Sequence, residues 1–382
     1  MKFAFVIFKY FPFGGVQRDM LRIARESMKL GHEVHIFTGY WEGEIPVEQG
    51  LHPHVIEARG WFNHWRYRDF IGKVEALLDA GKFDLVVGFN RLPGLDAYFQ
   101  ADPCFLERTA HARPPLYRLT GRYRFFAESE AAVFGRDSRC EILLLSPSEK
   151  LVFQRWYDTP DARFHLQPPP IAADRFGLGD REKLRAEVRA EFGFDADDKL
   201  ILMVGSAFKR KGLDRVIQAV AALPDALKSH VRLLAVGQDD PAPFLKLAQS
   251  LGASGQLRIL SEGRDDIPRL MQAADLLAHV AYSENTGVVL IESMASGLPV
   301  LASAECGYAF HVRASGAGGV TGAPFDQKEF NRQLADMLVS PLLPVWRENA
   351  LRYVTDIMAA NNGGAEARML ETFARRKQEH AR

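Results

Sequence analysis

The chain has 382 residues, of which 47% are hydrophobic and 25% charged, a composition typical of globular proteins. Its length predicts two domains of roughly 150–200 residues, because a single hydrophobic core rarely serves so long a chain. The 48 basic and 48 acidic residues cancel, which argues against a nucleic acid as partner, so an anionic partner would have to meet a local patch.

Cysteine content and apolar runs favour a cytoplasmic protein. Cys104, Cys140 and Cys306 are odd in number and lack the spacing of a metal site, so we expect them to be reduced. The apolar run 3–8 is too short for a signal peptide. No stretch approaches the roughly 18 apolar residues that a membrane span requires.

Strands and helices are predicted to alternate through the first part of the chain. The apolar run 3–8 has the pattern of a buried parallel strand, and a turn containing Gly14 and Gly15 follows it. An amphipathic helix is predicted from Val16 to Leu30, where Gly31 ends it. Further strands are predicted at 34–38, 84–89 and 141–146. This alternation predicts a doubly wound parallel sheet.

A proline-rich linker, Gln167–Pro170, separates this part from a second α/β series. In the second series, strands are predicted at 200–205, 231–237, 257–260, 275–280 and 298–303, and helices at 212–223 and 287–296. We predict domains over 1–165 and 166–356 that face each other across a cleft, with a terminal helix at about 357–382 packed back on the first domain. Ligands would bind loops at the carboxyl ends of the strands.

The loop after the strand at 200–205 has the composition of a phosphate-binding loop. Three consecutive cations, Lys209, Arg210 and Lys211, lie between Gly205 and Gly212, ahead of the predicted helix. Glycines let the backbone approach a diphosphate, and the cations and the helix N-terminus would neutralise it. A solvated basic turn would have the same composition.

Two carboxylates, Glu284 and Glu292, flank the corner between the strand at 275–280 and the next helix. Their offset lets them grasp different parts of one ligand, while the amides near Thr286 and Gly287 cap the helix and face a phosphate. The pair would also suit acid–base hydrolysis. One exposed and one structural glutamate is the simpler interpretation.

Residues 272–303 resemble the donor-site signature of the family 4 retaining glycosyltransferases, in which Glu284 and Glu292 form the E-x7-E element. Residues 8–38 resemble the glycine loop and first helix of the same family. Four segments are similar, more narrowly, to the glucosyltransferases of the lipopolysaccharide inner core: 9–19, 86–99, 115–124 and 306–309. The resemblance covers nearly the whole chain.

The resemblance implies a GT-B fold of two Rossmann-like domains, the first binding the acceptor and the second the nucleotide sugar. It implies that Glu292 holds the ribose of a uridine nucleotide and that Glu284 contacts the donor sugar. Arg210 and Lys211 would neutralise the leaving diphosphate, the task of a metal ion in other transferases. No metal or other cofactor is therefore expected.

In the first domain, the resemblance implies that Gly14 and Gly15 let the loop close over the phosphates and that Asp19 touches the sugar or acceptor. The backbone at Gly263 and Arg264 would hold the uracil. The full set of implied nucleotide-sugar contacts is Gly14, Gly15, Gly205, Ser206, Arg210, Lys211, Gly263, Arg264, Glu284, Asn285, Thr286, Gly287, Val288 and Glu292.

Two positions depart from the family pattern. Ser206 stands where many members have an arginine, and Asp102 stands where many have a histidine near the end of the fourth strand. The implied catalytic residues are Asp19, Asp102, Arg210, Lys211 and Glu284, and which carboxylate acts as base stays open. Retention implies a front-face mechanism in which the leaving phosphate oxygen takes the acceptor proton. The D-x-D-like segment 195–198 precedes a strand and is interpreted as a solvated turn.

Residues 108–126 combine arginines with aromatic residues and contain no aspartate or glutamate. The arginines are Arg108, Arg113, Arg118, Arg122 and Arg124, and the aromatic residues are Tyr117, Tyr123, Phe125 and Phe126. Such a composition is typical of surfaces at phospholipid headgroups, where each cation contributes on the order of 1 kcal/mol. The segment Trp61–Arg68 has the same character. A core helix with a charged rim is the alternative.

The sequence therefore predicts a hexosyltransferase that moves a hexose, glucose from UDP-glucose in the first instance, onto a heptose of the lipopolysaccharide inner core. Asn285 and Thr286 could bind a 2-hydroxyl or a 2-acetamido group, so a UDP-N-acetylhexosamine donor stays open. The expected location is the anionic cytoplasmic face of the inner membrane.

Two functions of other classes compete with this prediction. A Rossmann dehydrogenase needs a G-x-G-x-x-G element, which Gly14 and Gly15 do not supply. A non-enzymatic membrane-binding scaffold would explain residues 108–126 and leave Glu284 and Glu292 without a purpose.

Overall fold

The computed structural model describes residues 1–12, 14–169, 171, 179–262, 264–361 and 364–380. The chain divides into two compact units, one formed by Met1–Pro168 with Asn361–Arg382 and the other by Pro169–Ala360. Pro170 of the predicted linker lies outside the described residues.

The first unit contains a seven-stranded sheet with helices between the strands. Its strands are β1 (Lys2–Ile7), β2 (Glu33–Thr38), β3 (Leu51–Val55), β4 (Leu85–Gly88), β5 (Ala97–Gln100), β6 (Glu141–Leu144) and β7 (Phe164–Leu166). The helices that follow them in this unit are α1 (Gly15–Lys29), α2 (Asn63–Gly81), α3 (Phe105–Ala112), α4 (Gly121–Phe134) and α5 (Pro147–Tyr157).

The strand order is β3-β2-β1-β4-β5-β6-β7, and the pairs are parallel. The chain begins at the interior strand β1 and extends the sheet from it in both directions. This confirms the doubly wound sheet that the sequence predicts. Strand β1 is central, and Phe3–Val6 have no exposed surface because both faces of a parallel sheet are covered. Helix α1 packs with Met20, Ile23 and Ala24 buried, at the three- and four-residue spacing of one helix face.

The second unit contains a six-stranded sheet. Its strands are β8 (Lys199–Val204), β9 (Val231–Val236), β10 (Leu257–Leu260), β11 (Leu276–His279), β12 (Val300–Ala302) and β13 (Gly318–Val320). Its helices are α6 (Arg181–Phe192), α7 (Phe208–Lys211), α8 (Leu213–Ala221), α9 (Asp225–Lys228), α10 (Ala242–Ser250), α11 (Ile267–Ala273), α12 (Val288–Ala295), α13 (Ala309–Ser315), α14 (Gln327–Leu338) and α15 (Leu343–Asn361).

The second sheet has the order β10-β9-β8-β11-β12-β13, again with parallel pairs. Its core consists of strand residues such as Ile201, Leu233 and Leu301, packed against Val216 and Ile217 of α8. The helix predicted at 212–223 is α8, and a short helix that the sequence did not predict, α7, precedes it; Gly212, with a positive φ of 85°, separates the two. The cations of the predicted phosphate loop therefore lie on a short helix and not in an open loop.

The last helix, α16 (Ala365–His380), belongs to the first unit and packs on α1. Ala367, Leu370 and Phe373 of α16 are buried. An Arg22 nitrogen lies 2.7 Å from a Glu366 oxygen and joins the two helices. None of the helices among the described residues is long and apolar enough to cross a membrane.

Candidate active site

The loop between β8 and α7 is held by the loop that follows β9. Gly205 has a φ of 133°, and a Cβ on Gly237 would lie 2.5 Å from the Gly205 carbonyl oxygen, so the two backbones touch where side chains would collide. The Ser206 hydroxyl accepts a hydrogen bond from the backbone N–H of Gln238 at 3.0 Å. Ser206 thus braces the loop.

The three cations of α7 have different partners. Lys209 donates to Asp214 at 2.6 Å and to the Tyr282 hydroxyl at 3.2 Å, so its charge is committed to the start of α8. Arg210 and Lys211 instead reach Glu284. The sequence predicted the roles of Arg210 and Lys211 as a pair but gave no indication that Lys209 would be separated from them.

Glu284 lies at the centre of a charged cluster. One of its oxygens accepts from Arg210 at 3.1 Å and from Lys211, whose side chain is 14% exposed. His279, the last residue of β11, has no exposed surface, and its Nε2 lies 3.9 Å from the same oxygen. That separation is longer than a hydrogen bond, so the histidine acts on the carboxylate through the dipole of its ring.

The surroundings of Glu284 keep it ionised. Burial alone would raise its pKa, but His279 and the ammonium of Lys211 outweigh burial and lower the pKa from 4.5 to about 2. Burial lowers the pKa of His279, so this imidazole is neutral at neutral pH. Because the folded-state pKa of Glu284 is depressed, its ionisation stabilises the fold above pH 4.5, and this contribution is lost as the pH falls toward 2.

The corner that carries Glu284 is fixed by the segment after β12. The backbone N–H of Gly307 donates to the Glu284 carbonyl at 2.9 Å, and that of Tyr308 donates to the Thr286 carbonyl at 2.6 Å. Gly287, with a φ of 85°, is the N-cap of α12. The segment 306–309, recognised in the sequence as a motif, therefore supports the E-x7-E corner.

Three other predicted donor-site residues of the second unit belong to this corner. Asn285 precedes α12, Val288 begins it and Glu292 is its fifth residue, and all three are half-buried. Arg264 pairs with Asp266 at 2.6 Å and also with Glu191, which commits its guanidinium to neighbouring carboxylates. Gly263 lies outside the described residues.

In the first unit, Gly14 is the N-cap of α1 and Gly15 its first residue. A Cβ on Gly14 would lie 2.6 Å from the Phe11 ring, whereas one on Gly15 would meet nothing within 4 Å. Asp19 lies one turn further along and accepts from Arg22 at 3.1 Å. Burial raises the pKa of Asp19, although Arg22 opposes the shift.

Asp102 lies two residues beyond β5, which is the fifth strand of the unit and not the fourth. Asp102 is exposed, and its backbone carbonyl accepts hydrogen bonds from Arg91 at 2.6 Å and from Gln100 at 2.8 Å.

In the D-x-D-like segment, residues 195–197 are exposed, but Asp198 is buried and pairs with Arg232 at 3.1 Å. The prediction of a solvated turn is therefore wrong for Asp198, which fastens the start of β8.

A cavity of about 760 Å³ opens at the carboxyl ends of β1 and β2 in the first unit. Tyr67 stacks on Phe8 at 4.0 Å and forms an aromatic wall, and Lys9, Arg59 and Arg66 add positive charge to the rim. The sequence did not predict this cavity, because its lining residues come from three separate loops and from α2. Their position after the strands was the one available signal.

The arginine-rich segment 108–126 spans the end of α3, a short 3-10 helix at Pro115–Leu119 and the start of α4. Leu116 is 75% and Leu119 68% exposed, and Trp61, just before α2, is 93% exposed. Phe125, by contrast, is buried and belongs to the core of the first unit, so it does not contribute to a surface.

Known proteins are similar to this chain in sequence and in structure. The sequence profile of "Glycosyl transferases group 1" matches residues 185–352, and that of "Glycosyltransferase Family 4" matches residues 13–175. The lipopolysaccharide glucosyltransferase WaaG of Escherichia coli (strain K12) is 42% identical over 351 residues, which cover 92% of this chain and 93% of WaaG. The chain belongs to this glycosyltransferase family. The resemblance inferred from the E-x7-E element is thereby confirmed.

Solved structures of glycosyltransferases support the fold. The crystal structure of WaaG, described as a glycosyltransferase involved in lipopolysaccharide biosynthesis, matches with a TM-score of 0.84 and 38% identity over 96% of this chain and 99% of that one. This match confirms the GT-B fold. Anabaena Alr3699/HepE in complex with UDP-glucose matches with a TM-score of 0.70 over 96% of this chain and 98% of that one. At 18% identity, HepE shows the shared fold alone.

Proposed function

We propose that this glycosyltransferase moves glucose from UDP-glucose to a heptose of the lipopolysaccharide inner core, with retention of configuration at the anomeric carbon. The E. coli relative is by name a lipopolysaccharide glucosyltransferase, and the similarity to it runs through almost the whole chain. The observation that carries the proposal is the cluster of Arg210, Lys211 and Glu284 next to the phosphate loop.

The charges of this cluster suit a diphosphate. Two cations and one carboxylate leave a net charge of one positive, since His279 stays neutral. The N-terminus of α12, next to Glu284, adds partial positive charge. A UDP-sugar diphosphate can therefore take Arg210 and Lys211 as partners, and no metal ion is needed to stabilise the leaving group. Glu292 would bind the ribose hydroxyls.

Glu284 would then orient the donor sugar. It stays ionised through the pH range in which the enzyme works, because its pKa is about 2. An ionised carboxylate accepts hydrogen bonds from sugar hydroxyls and stabilises positive charge that develops at the anomeric carbon. In the front-face mechanism that the family implies, the leaving phosphate oxygen takes the proton of the acceptor hydroxyl. Asp19 would contact the sugar or the acceptor, and Asp102 is a candidate base.

The cavity of the first unit suits the acceptor. Sugars stack on aromatic rings, and Tyr67 provides one beside the cations Lys9, Arg59 and Arg66. Those cations would attract the phosphate groups of an inner-core lipopolysaccharide. The lining has three cations against the one carboxylate of Glu57, so its charge favours an anionic glycan over a neutral one.

A panel of donors tests the proposed reaction. Heptose-terminated lipopolysaccharide is incubated with UDP-glucose, UDP-N-acetylglucosamine or UDP-N-acetylgalactosamine, each with and without EDTA, and the product is analysed by NMR. We expect UDP-glucose to react at least ten times faster than the others, without inhibition by EDTA and with retained anomeric configuration. Faster turnover of an N-acetylhexosamine donor would overturn the glucose assignment, and loss of turnover in EDTA would overturn metal independence. Absence of turnover with every donor would favour the scaffold alternative.

We further propose that the enzyme binds the anionic cytoplasmic face of the inner membrane through residues 113–124 and the start of α2. Exposed leucines and tryptophan lie among the arginines, the combination that places apolar side chains at the headgroup boundary. The two segments are neighbours, because a Cβ on Gly121 would lie 3.5 Å from His64 Nε2. Arg113 lies over the Tyr117 ring at 5.6 Å, which holds this cation beside an amphipathic aromatic side chain. Tyr123 is half-buried on the same surface.

Vesicle co-sedimentation tests the membrane proposal. A variant with Arg113, Arg118, Arg122 and Arg124 replaced by serine should lose binding to vesicles that contain anionic lipid, because each cation contributes on the order of 1 kcal/mol. Wild-type binding should weaken with salt, which screens exposed charges. Transfer to a soluble acceptor should persist.

The matched control for this test removes four exposed arginines elsewhere and therefore changes the net charge equally. Its arginines are Arg136, Arg332, Arg352 and Arg375. We expect this control to bind vesicles nearly as well as the wild type. Equal loss of binding in both variants would show that overall charge, and not this surface, attracts the vesicles.

A further inference from the structure

Four titratable side chains share one face of the sheet at the edge formed by β2 and β3. Glu33 and His35 are two residues apart on β2, and His52 and His54 are two residues apart on β3. Side chains two apart on a strand point to the same face, and the parallel register pairs His35 with His52. Backbone pairing therefore brings all four together.

Three of these side chains converge on one point. His35 Nε2 lies 2.8 Å and His52 Nε2 3.3 Å from the same Glu33 oxygen, and the three atoms all lie within 4.8 Å of one another. A zinc ion with bonds of about 2.0–2.2 Å to tetrahedral ligands holds the ligand atoms roughly 3.3–3.6 Å apart. Small side-chain movements would open the cluster to that spacing.

The fourth side chain orients the first histidine. His35 Nδ1 lies 2.9 Å from His54 Nε2, and the two rings are nearly parallel at 5.1 Å. When His35 donates its Nδ1 proton to His54, its Nε2 lone pair faces Glu33 and His52, as in metal-ligating histidines that are held by a partner behind them.

We propose that Glu33, His35 and His52 form a binding site for Zn²⁺ or a similar divalent transition-metal ion, with water at the fourth position. Two imidazoles and one carboxylate select transition metals over Mg²⁺ and Ca²⁺. The side chains of Glu33 and His52 are 48% and 45% exposed, so an ion can enter from solvent. Lys2, on the neighbouring strand β1, is a cation close to the site. Its ammonium donates to the Gly81 carbonyl at 3.4 Å and lies over the Phe83 ring, so it has partners other than Glu33.

The position of the site indicates a structural role. Glu33 is the first residue of β2, so the cluster lies toward the amino ends of the strands, whereas the acceptor cavity lies at their carboxyl ends. Strand β3 is the edge of the sheet and contains Pro53, which lacks the N–H donor of other residues. A metal that joins β2 to β3 would fasten this edge without taking part in sugar transfer.

Metal titration of the full chain tests the site. Protein treated with EDTA and dialysed is titrated with ZnCl₂ by calorimetry and with CoCl₂ by visible absorption. We expect about one equivalent of Zn²⁺ to bind, a Co²⁺ spectrum with the strong absorption of tetrahedral coordination, and a higher midpoint of thermal unfolding with zinc. His52→Asn and Glu33→Gln should lower zinc affinity at least tenfold, and His54→Phe, which removes the partner behind His35, by about tenfold.

His230→Asn is the matched control, because it removes an exposed histidine of the second unit. It should bind zinc like the wild type. Zinc binding that His52→Asn and Glu33→Gln leave unchanged, or a stoichiometry that falls equally in the control, would overturn the proposal. His52 is exposed, so its variant should fold, and the Co²⁺ spectrum reports coordination even where stability changes. Transfer activity should be the same in all these variants, so the outcome is independent of the proposed function.

Discussion

Replacement of Glu284 by glutamine should lower kcat by two to three orders of magnitude, which corresponds to about 2.7–4 kcal/mol of transition-state stabilisation. Glutamine keeps the size of the side chain but removes the charge that would face the donor sugar. It also leaves Lys211, which is 14% exposed, without its carboxylate partner. Steady-state kinetics with UDP-glucose would measure the loss, and circular dichroism would show whether the fold persists.

Two matched variants separate the role of Glu284 from general effects of lost charge. Glu292→Gln should weaken UDP binding by roughly 1.5–3 kcal/mol, the worth of a hydrogen bond to a charged group, and should act mainly on KM. Glu348→Gln, an exposed position on α15, should change neither constant. If Glu284→Gln raised KM and left kcat intact, Glu284 would serve binding alone and the assigned role would be wrong.

The sequence predicted the architecture better than the individual strands. Long apolar runs such as those at β1 and β8 are strong signals, because strands covered on both faces are continuously apolar. Strand β3 was missed since Leu51–Val55 contains a proline and two histidines, which an edge strand tolerates. Strands β5 and β7, AYFQ and FHL, were also missed, because they lack the aliphatic runs that mark the equally short strands β4 and β6.

The site was predictable where a motif carried it and not where tertiary packing did. Glu284 and Glu292 were found through their fixed spacing, which belongs to one corner of the chain. His279 was missed, because a histidine at the end of an apolar run has no signal that distinguishes a buried neighbour of Glu284 from a core residue. The cluster of Glu33, His35 and His52 was missed for the same reason, since its members come from two strands whose register the sequence does not reveal.

Gly212→Ala should lower the free energy of unfolding of the second unit by about 3–4 kcal/mol. Gly212 ends α7, and its close approach to Val280 depends on tertiary packing that the sequence does not reveal. The φ of 85° costs an alanine about 1–2 kcal/mol. Its Cβ would also lie 2.1 Å from the Val280 carbonyl oxygen, and that carbonyl is held by Arg215 at 3.0 Å. Overpacking of this kind adds about 1–3 kcal/mol.

Gly252→Ala is the control that isolates the collision from the backbone strain. Gly252 also has a positive φ, 66°, but a Cβ there would meet nothing within 4 Å. We expect it to cost only the 1–2 kcal/mol or so of the left-handed conformation. Urea unfolding followed by circular dichroism and by tryptophan fluorescence would measure both variants, with the transition of each unit analysed separately. Equal destabilisation of Gly212→Ala and Gly252→Ala would mean that the backbone at Val280 moves to make room for the added Cβ.

Because Arg210 and Lys211 immediately precede Gly212, the Gly212→Ala protein that does fold should also bind UDP more weakly, whereas Gly252→Ala should bind it like the wild type.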